Sequence, residues 1–422
     1  MRRSVVVLAA EWRLLLFGFL MAFASSAGQT FFISFFSAEF RTAFDLGHGG
    51  FGALYSAATL VSGFLLVWAG GLIDRIDLRV FAGVVLLGLT LAAGAAATAS
   101  GPITLLIALF LLRFFGQGLS SHTAVTATAR YVEPSVRGKA VSLATLGFPL
   151  GEAVWPLLAV VLIAAIGWRH TYAGVGGVTV LIFLPVALLL LWTHGQRHAD
   201  MMRRMAAGVV SGEGMRQWTR REVMRDPAFL WTLVAVLAPS FIVTGVLFHQ
   251  VYLTEVKGWD LTTFATGYIG YAVFQISTAL ITGPMVDRFG ARRVAVVYLG
   301  PLALGLIVLA SVDALWAGYV FLALCGVTSG ASSTLLGTLW AEIYGVRHLG
   351  AIRALVTASS VVASALSPAT MGWALDAGVS IEAIALACLA YILAGMVILV
   401  RLYGWVSMRP PSAIKETGRH GS

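Results

Sequence analysis

The chain has 422 residues, is 59% hydrophobic and only 11% charged, and carries a formal net charge of +9. Soluble domains carry about twice that share of charged residues, which excludes an ordinary water-soluble globule. The positive balance would suggest nucleic acid only if its placement were ignored. It follows the loops between apolar runs.

Twelve apolar runs appear in order: 14–38, 49–70, 80–99, 102–128, 140–166, 171–193, 228–253, 262–284, 294–311, 315–339, 352–374 and 382–404. Each is close to the ~20 residues that span a bilayer as helix. The first is too long for a signal-peptide core and lacks a small-residue cleavage site, so it reads as a retained helix. All but four of the 28 Lys and Arg residues lie at the termini or in the even-to-odd loops; the exceptions are Arg41, Arg113, Arg169 and Lys257. That asymmetry predicts cytoplasmic termini and contact with anionic lipid heads. Cys325 and Cys388 fall in predicted helices, with no metal spacing or disulfide framework, and read as packing residues.

The Arg-rich polar stretch between runs six and seven divides the chain into 1–193, a linker 194–227, and 228–422. The halves repeat at one offset: Phe51 matches Phe264, Tyr55 matches Tyr268, Gly70 matches Gly283, and Asp74-Arg75 matches Asp287-Arg288. Parallel repeats about an axis along the membrane normal are the pattern of major facilitator carriers. The stretch Gly70-Gly71-Leu72-Ile73-Asp74-Arg75-Ile76-Asp77-Leu78-Arg79 resembles the signature G-x-x-x-D-R-x-G-R of that superfamily, with Asp77 in place of a glycine. That replacement predicts a looser turn. The copy at Gly283-Pro284-Met285-Val286-Asp287-Arg288-Phe289-Gly290 keeps the glycine.

The resemblance implies an all-α membrane fold of twelve helices in two pseudo-symmetric bundles. Helices 3, 6, 9 and 12 are nearly all apolar and fit the outer positions, while helices 1, 4, 5, 7, 8 and 10 carry polar stripes suited to a cavity. Gly28-Gln29-Thr30, Leu150-Gly151-Glu152-Ala153 and Phe248-His249-Gln250 resemble bacterial members near the oxalate/formate antiporter and monocarboxylate transporter branches. The acidic-Gly-Gly-Trp signature of monocarboxylate carriers is absent, with Gly47-His48-Gly49-Gly50 in its place.

Arg113 and Glu152 fall at matching mid-membrane depth on helices 4 and 5. A lone charge there costs several kcal/mol, so such residues usually face a water-filled path and have a partner. The short loop between the two helices predicts an ion pair. Arg113, Gly116 and Gly118 resemble the superfamily's helix-4 motif, whose arginine is implicated in coupling or anion binding. A guanidinium suits bidentate capture of a carboxylate, and protonation of Glu152 would release it. The bland alternative is a permanent ion pair that orients two helices.

Gln29, Thr30, Gln117, Gln275, His249 and Gln250 are further candidates for solute or proton contacts, since buried polar groups in lipid need partners. Tyr55, Trp155, Tyr268 and Tyr271 are candidate cavity aromatics, although aromatics on such helices more often pack or face lipid. Asp74 with Arg75 and Asp287 with Arg288 would form the inner gate that the resemblance implies. Glu133 and Arg137 after helix 4 echo Glu342 and Arg347 after helix 10, and read as gate or topology residues. Gly147 and Gly151 match Ser360 and Ser364 and predict close helix packing that lets one bundle rock on the other. Gly147-Phe148-Pro149 matches the antiporter motif ending Gly-Pro only loosely.

No phosphate loop, zinc spacing or nucleophile elbow occurs, and no cofactor is expected. The chain reads as a monomeric secondary transporter of a bacterial inner membrane, not an enzyme. It would move a small organic anion, a carboxylate for preference, by alternating access with protons or a counter-anion. Alternatives are a proton-coupled exporter of amphipathic drugs and a non-transporting sensor or assembly factor.

Overall fold

The computed structural model of the chain describes residues 8–132, 136–192, 220–344 and 349–404, and these are almost entirely helical. Helix α1 is a bent pair, Trp12–Gly28 and Thr30–Phe44, meeting at 42°. It is followed by α2 (His48–Ile73), α3 (Leu78–Ala97) and α4 (Pro102–Tyr131). The next helical stretch, Gly138–Leu190, runs for 53 residues. At 1.5 Å per residue that is roughly 80 Å, far beyond a ~30 Å bilayer core. It is two spans. The backbone breaks at Gly167 (φ 77°, ψ 159°), Trp168 packs edge-on against Phe40 and Phe44, and Leu184–Leu190 returns to Trp12–Ala24.

These two spans are α5 (138–166) and α6 (168–190). The second half has α7 (Pro227–Phe248), α8 (Leu261–Phe289), α9 (Ala291–Ser311), α10 (Trp316–Tyr344), α11 (Ile352–Asp376) and α12 (Ile381–Tyr403). Twelve spans are therefore present among the described residues, as the hydropathy pattern predicts. Their ends differ by several residues. Helices α4, α8 and α10 run past the apolar stretch because backbone hydrogen bonding continues after hydropathy falls. Side chains start the helices of the second half: Asp226 accepts from Ala228 N at 3.0 Å, and Asp260 from Thr263 N at 2.7 Å.

Helices α3, α6, α9 and α12 pack within their own half, whereas α2 meets α11 and α5 meets α8 across the interface. The sequence exceptions in charge placement, Arg41, Arg169 and Lys257, lie at the end of the bundle away from the termini. There Arg169 donates to Ala97 O and Ala99 O at the close of α3. Lys257 bridges Asp313 and Glu382.

Between described residues, the hydrogen bonds and ring pairs that join the halves sit in the part of the bundle away from the termini. Asp376 accepts from His48 N at 2.9 Å and Gly49 N at 2.8 Å. Gln250 Nε2 donates to Phe31 O and Ser34 Oγ. Phe51 stacks on Phe248, and Phe31 and Phe35 meet Tyr268.

The turn after α2 is not loosened by Asp77. Its carboxylate accepts from Arg79 N at 2.8 Å and also takes the Arg79 guanidinium, at 3.1 and 2.9 Å, so it caps α3. Its backbone (φ −54°) needs no glycine. The second copy closes differently. Gly290 has φ 84°, and Glu342 accepts from Ala291 N at 2.8 Å. Gly147 and Gly151 seat α5 against α1 of the same half, where a Cβ would meet Phe19 O and Ser26 Oγ. They are not a sliding surface between the bundles.

Candidate functional site

Helix α1 is interrupted at Gln29, whose backbone is extended (φ −82°, ψ 152°). A break inside a spanning helix frees carbonyls that lipid cannot satisfy. Arg113 answers this need. Its Nη1 donates to Gly28 O at 3.1 Å and reaches Thr30 Oγ1 at 3.5 Å, while Nε donates to Thr59 Oγ1 at 3.0 Å. Its Cζ lies 5.0 Å from the Tyr55 ring centroid, a cation–π distance. Tyr55 Oη shares a 2.7 Å hydrogen bond with Thr30. The residue is 3% exposed.

Arg113 sits on a π-helical stretch of α4, Leu112–Ser120. Such wide turns inside α-helices recur at functional sites. Gly28 and Gly116 let the two irregular segments touch: a Cβ on Gly28 would lie 2.0 Å from Leu112 O. The repeat-related positions of Arg113 and Gln117 are Gly326 and Gly330. There α10 presses on the α8 backbone, and a Cβ at these glycines would lie 2.3 Å from Tyr271 O and 2.2 Å from Gln275 O respectively. Close packing leaves no room for a long side chain in the second half, so the charge exists only in the first.

The expected Arg113–Glu152 ion pair is not formed. Helix α1 runs between α4 and α5 at this depth, touching Gly116 on one side and Gly151 on the other. The short α4–α5 loop brings only the ends of those helices together. Arg113 has no carboxylate partner among the described residues.

Glu152 instead borders a cavity of about 320 Å³ lined by Ser26, Gln29, Phe31, Gln117, Ser121, Phe148, Glu152 and Gln275. The Gln275 side chain, on α8, lies within reach of the Glu152 carboxyl group. Glu152 Oε2 and Gln275 Oε1 are both buried and lack a hydrogen-bond partner. The cavity therefore bridges the halves, with a carboxyl group from one and an amide from the other.

Of the residues singled out from sequence, Glu152, Gln29, Gln117 and Gln275 converge on this cavity. Thr30 turns to Tyr55 and Arg113 behind its wall. His249 is 4% exposed and bonds Pro368 O at 3.1 Å through Nε2. Gln250 is fully buried, accepting from Tyr268 Oη at 2.7 Å while its Nε2 holds α1. Both are interface residues and do not line an open vestibule.

Tyr55, Trp155, Tyr268 and Tyr271 are buried in packing. Trp155 meets Phe23 and Phe32, and Tyr271 bonds Ser329. The rings on the cavity wall are Phe31 and Phe148. Those two, with Ser26 and Ser121, escaped the sequence reading. Serines within apolar runs were the available signal, but they are common in membrane helices.

Asp287, Arg288 and Arg75 are exposed, and no ion pair joins Asp287 to another described residue. The side chains of Asp74 and Arg137, residue Glu133 and Arg347, and most of the 194–227 linker lie outside the described residues.

Comparison with known proteins agrees with this architecture. The profile of the Major Facilitator Superfamily matches residues 18–270 and 231–421. An "Uncharacterized 38 kDa protein in 23S RNA operon" of Thermoproteus tenax is 28% identical over 280 residues, 66% of this chain and 66% of that protein. A "probable transporter" of Streptomyces coelicolor is 30% identical over 133 residues, 31% of this chain and 28% of that one. The matches thus span less than two thirds of either relative.

Among solved structures, a bacterial homolog of the human lysosomal transporter Spinster, inward-facing and unoccupied, superposes with a TM-score of 0.64 at 16% identity, covering 96% of each chain. The nucleoside transporter NupG gives 0.66 at 10% identity, covering 94% of this chain and 100% of that one. At such identities the likeness concerns the fold. With the family profile covering almost the whole chain and the twelve-helix architecture in place, the protein belongs to the Major Facilitator Superfamily and is a membrane transporter, not an enzyme.

Proposed function

We propose that this transporter moves a small organic anion across a bacterial inner membrane by alternating access, coupled to protons through Glu152. The observation that carries the reading is the buried Glu152 carboxyl group at the interface cavity, with one oxygen unpartnered. A carboxyl group there can gain a proton from one side and lose it to the other as the halves rock.

Arg113 supports the anion. It does not line the cavity, so it acts by its field and not by contact. Its partner Gly28 immediately precedes Gln29 on the cavity wall. A unit charge at a distance on the order of 10 Å is worth about 1–2 kcal/mol at an effective dielectric near 20. With Glu152 protonated, the guanidinium is uncompensated and an anion is favoured. With Glu152 ionised, the two charges cancel and the anion is released. Proton and anion therefore bind together. The placement of Lys and Arg supports cytoplasmic termini and a cytoplasmic linker.

A second reading rests on the lining itself. Three glutamines, two serines and no Lys, Arg or His border the cavity, a donor set suited to a neutral hydroxylated solute.

Uptake in proteoliposomes, with panels of carboxylates and of neutral polyols, tests both. The first reading expects carboxylate uptake driven by an inward proton gradient, with a pH dependence lost in Glu152→Gln. Uptake of polyols alone would replace it with the second. Wild-type pH dependence in folded Glu152→Gln would remove Glu152 as the proton site.

A further inference from the structure

We propose that Asp376 and Gln250 form a two-point latch that holds the halves shut at the end away from the termini, and that the segment Thr30–Ile33 connects this latch to the cavity.

The first point is a carboxylate on a helix start. Asp376, the last residue of α11, receives the N–H groups of His48 and Gly49 at 2.9 and 2.8 Å. The first amides of a helix have no partner within it, and a negative charge there complements the helix dipole. Glycines make the approach possible. A Cβ on Gly47 would lie 2.8 Å from Asp376 Oδ2, and one on Gly372 would lie 2.5 Å from His48 O. The contact crosses from one half to the other.

The second point is a saturated amide. Gln250 Nε2 donates to Phe31 O at 3.2 Å and Ser34 Oγ at 2.7 Å, and Oε1 accepts from Tyr268 Oη at 2.7 Å. An amide engaged on both sides is not available to a solute. It ties α8 and the short helix Gln250–Lys257, which follows α7, to α1 of the other half.

The link to the cavity is the short helical piece Thr30–Ile33, separated from the rest of α1 by the break at Gln29. Phe31 lines the cavity, while its carbonyl is held by Gln250. A solute that displaces Phe31 therefore pulls on the latch directly. Opening towards the far side requires these four hydrogen bonds of the latch to break. Ile33 and Phe32 are fully packed, so the piece moves as a unit.

The test needs no solute, so it is independent of the anion reading. Cys325 and Cys388 are replaced by Ala, and spin labels are placed at Ala43 and Glu255, which are exposed on opposite halves at this end. Distances are measured in the full chain in liposomes. Asp376→Ala and Gln250→Met, tested separately, should each raise the ratio of long to short distances roughly tenfold, the scale of one lost charge-assisted hydrogen bond for Asp376 and of two lost neutral ones for Gln250. Ser380→Ala removes a helix cap at the same end but inside one half, and should leave the distribution unchanged. Asp376→Asn keeps the side-chain shape and serves if alanine prevents folding, with a smaller rise expected. Wild-type distributions in the folded latch variants, or an equal rise in Ser380→Ala, would overturn the proposal.

Discussion

Gly28 and Gly116 meet backbone to backbone: a Cβ on Gly116 would lie 2.7 Å from Gly28 Cα and 2.8 Å from Gly28 N. The contact joins the break in α1 to the π-helical stretch of α4. Two departures from regular helix thus meet, with Arg113 on the α4 stretch donating to the Gly28 carbonyl at the α1 break.

This contact sets the sign of a pair of glycine substitutions. Gly116→Ala has backbone, not a flexible side chain, in its way and should destabilise by about 1–3 kcal/mol. Gly94→Ala in α3 meets nothing within 4 Å and should be neutral or stabilising by up to ~1 kcal/mol, since alanine is the better helix former. Thermal unfolding of the detergent-solubilised variants checks the ordering. Equal midpoints would mean that α1 and α4 are not in this contact in solution.

Arg113→Lys keeps the charge but loses the planar fork that reaches Thr59 and Gly28 together. One buried acceptor is left unsatisfied, at a cost of about 1–3 kcal/mol. Initial transport rates should fall at least roughly tenfold, by the same energy scale, because the α1 break that presents Gln29 is no longer held. Rates and thermal midpoint together decide the matter. A variant with wild-type values in both would show that the fork is dispensable.

The two copies of the Asp-Arg motif should respond differently. Asp77→Ala removes a helix cap and a fork to Arg79, and should lower stability by about 1 kcal/mol. Asp287 is exposed, so Asp287→Asn should change stability by no more than ~0.5 kcal/mol. Its transport rate should nevertheless drop if the carboxylate engages only in the state closed at the terminal end. Stability read by unfolding, and rate read by uptake, separate the two effects. Normal transport by folded Asp287→Asn would remove its gate role.

Hydropathy, charge placement and the repeat made most of the architecture legible, since each spanning helix must be ~20 residues of apolar chain whatever it packs against. The paired Asp-Arg motifs pointed to the superfamily for the same local reason. Polar residues in membrane helices also marked Glu152, Gln29, Gln117 and Gln275, because hydrocarbon makes such residues costly without a use.

What those residues touch was decided only by the fold. Depth along a helix can be counted from sequence, but azimuth and the identity of the intervening helix cannot. Arg113 and Glu152 share a depth, yet α1 lies between them, and each meets a different neighbour. Gln250 reads as a candidate solute contact until α1 of the other half supplies Phe31 and Ser34 as its partners. Asp77 reads as a flaw in a glycine turn until Arg79 folds back onto it. Local chemistry determines which side chains must be satisfied. Long-range packing determines by whom, because the partners come from helices far away in the chain.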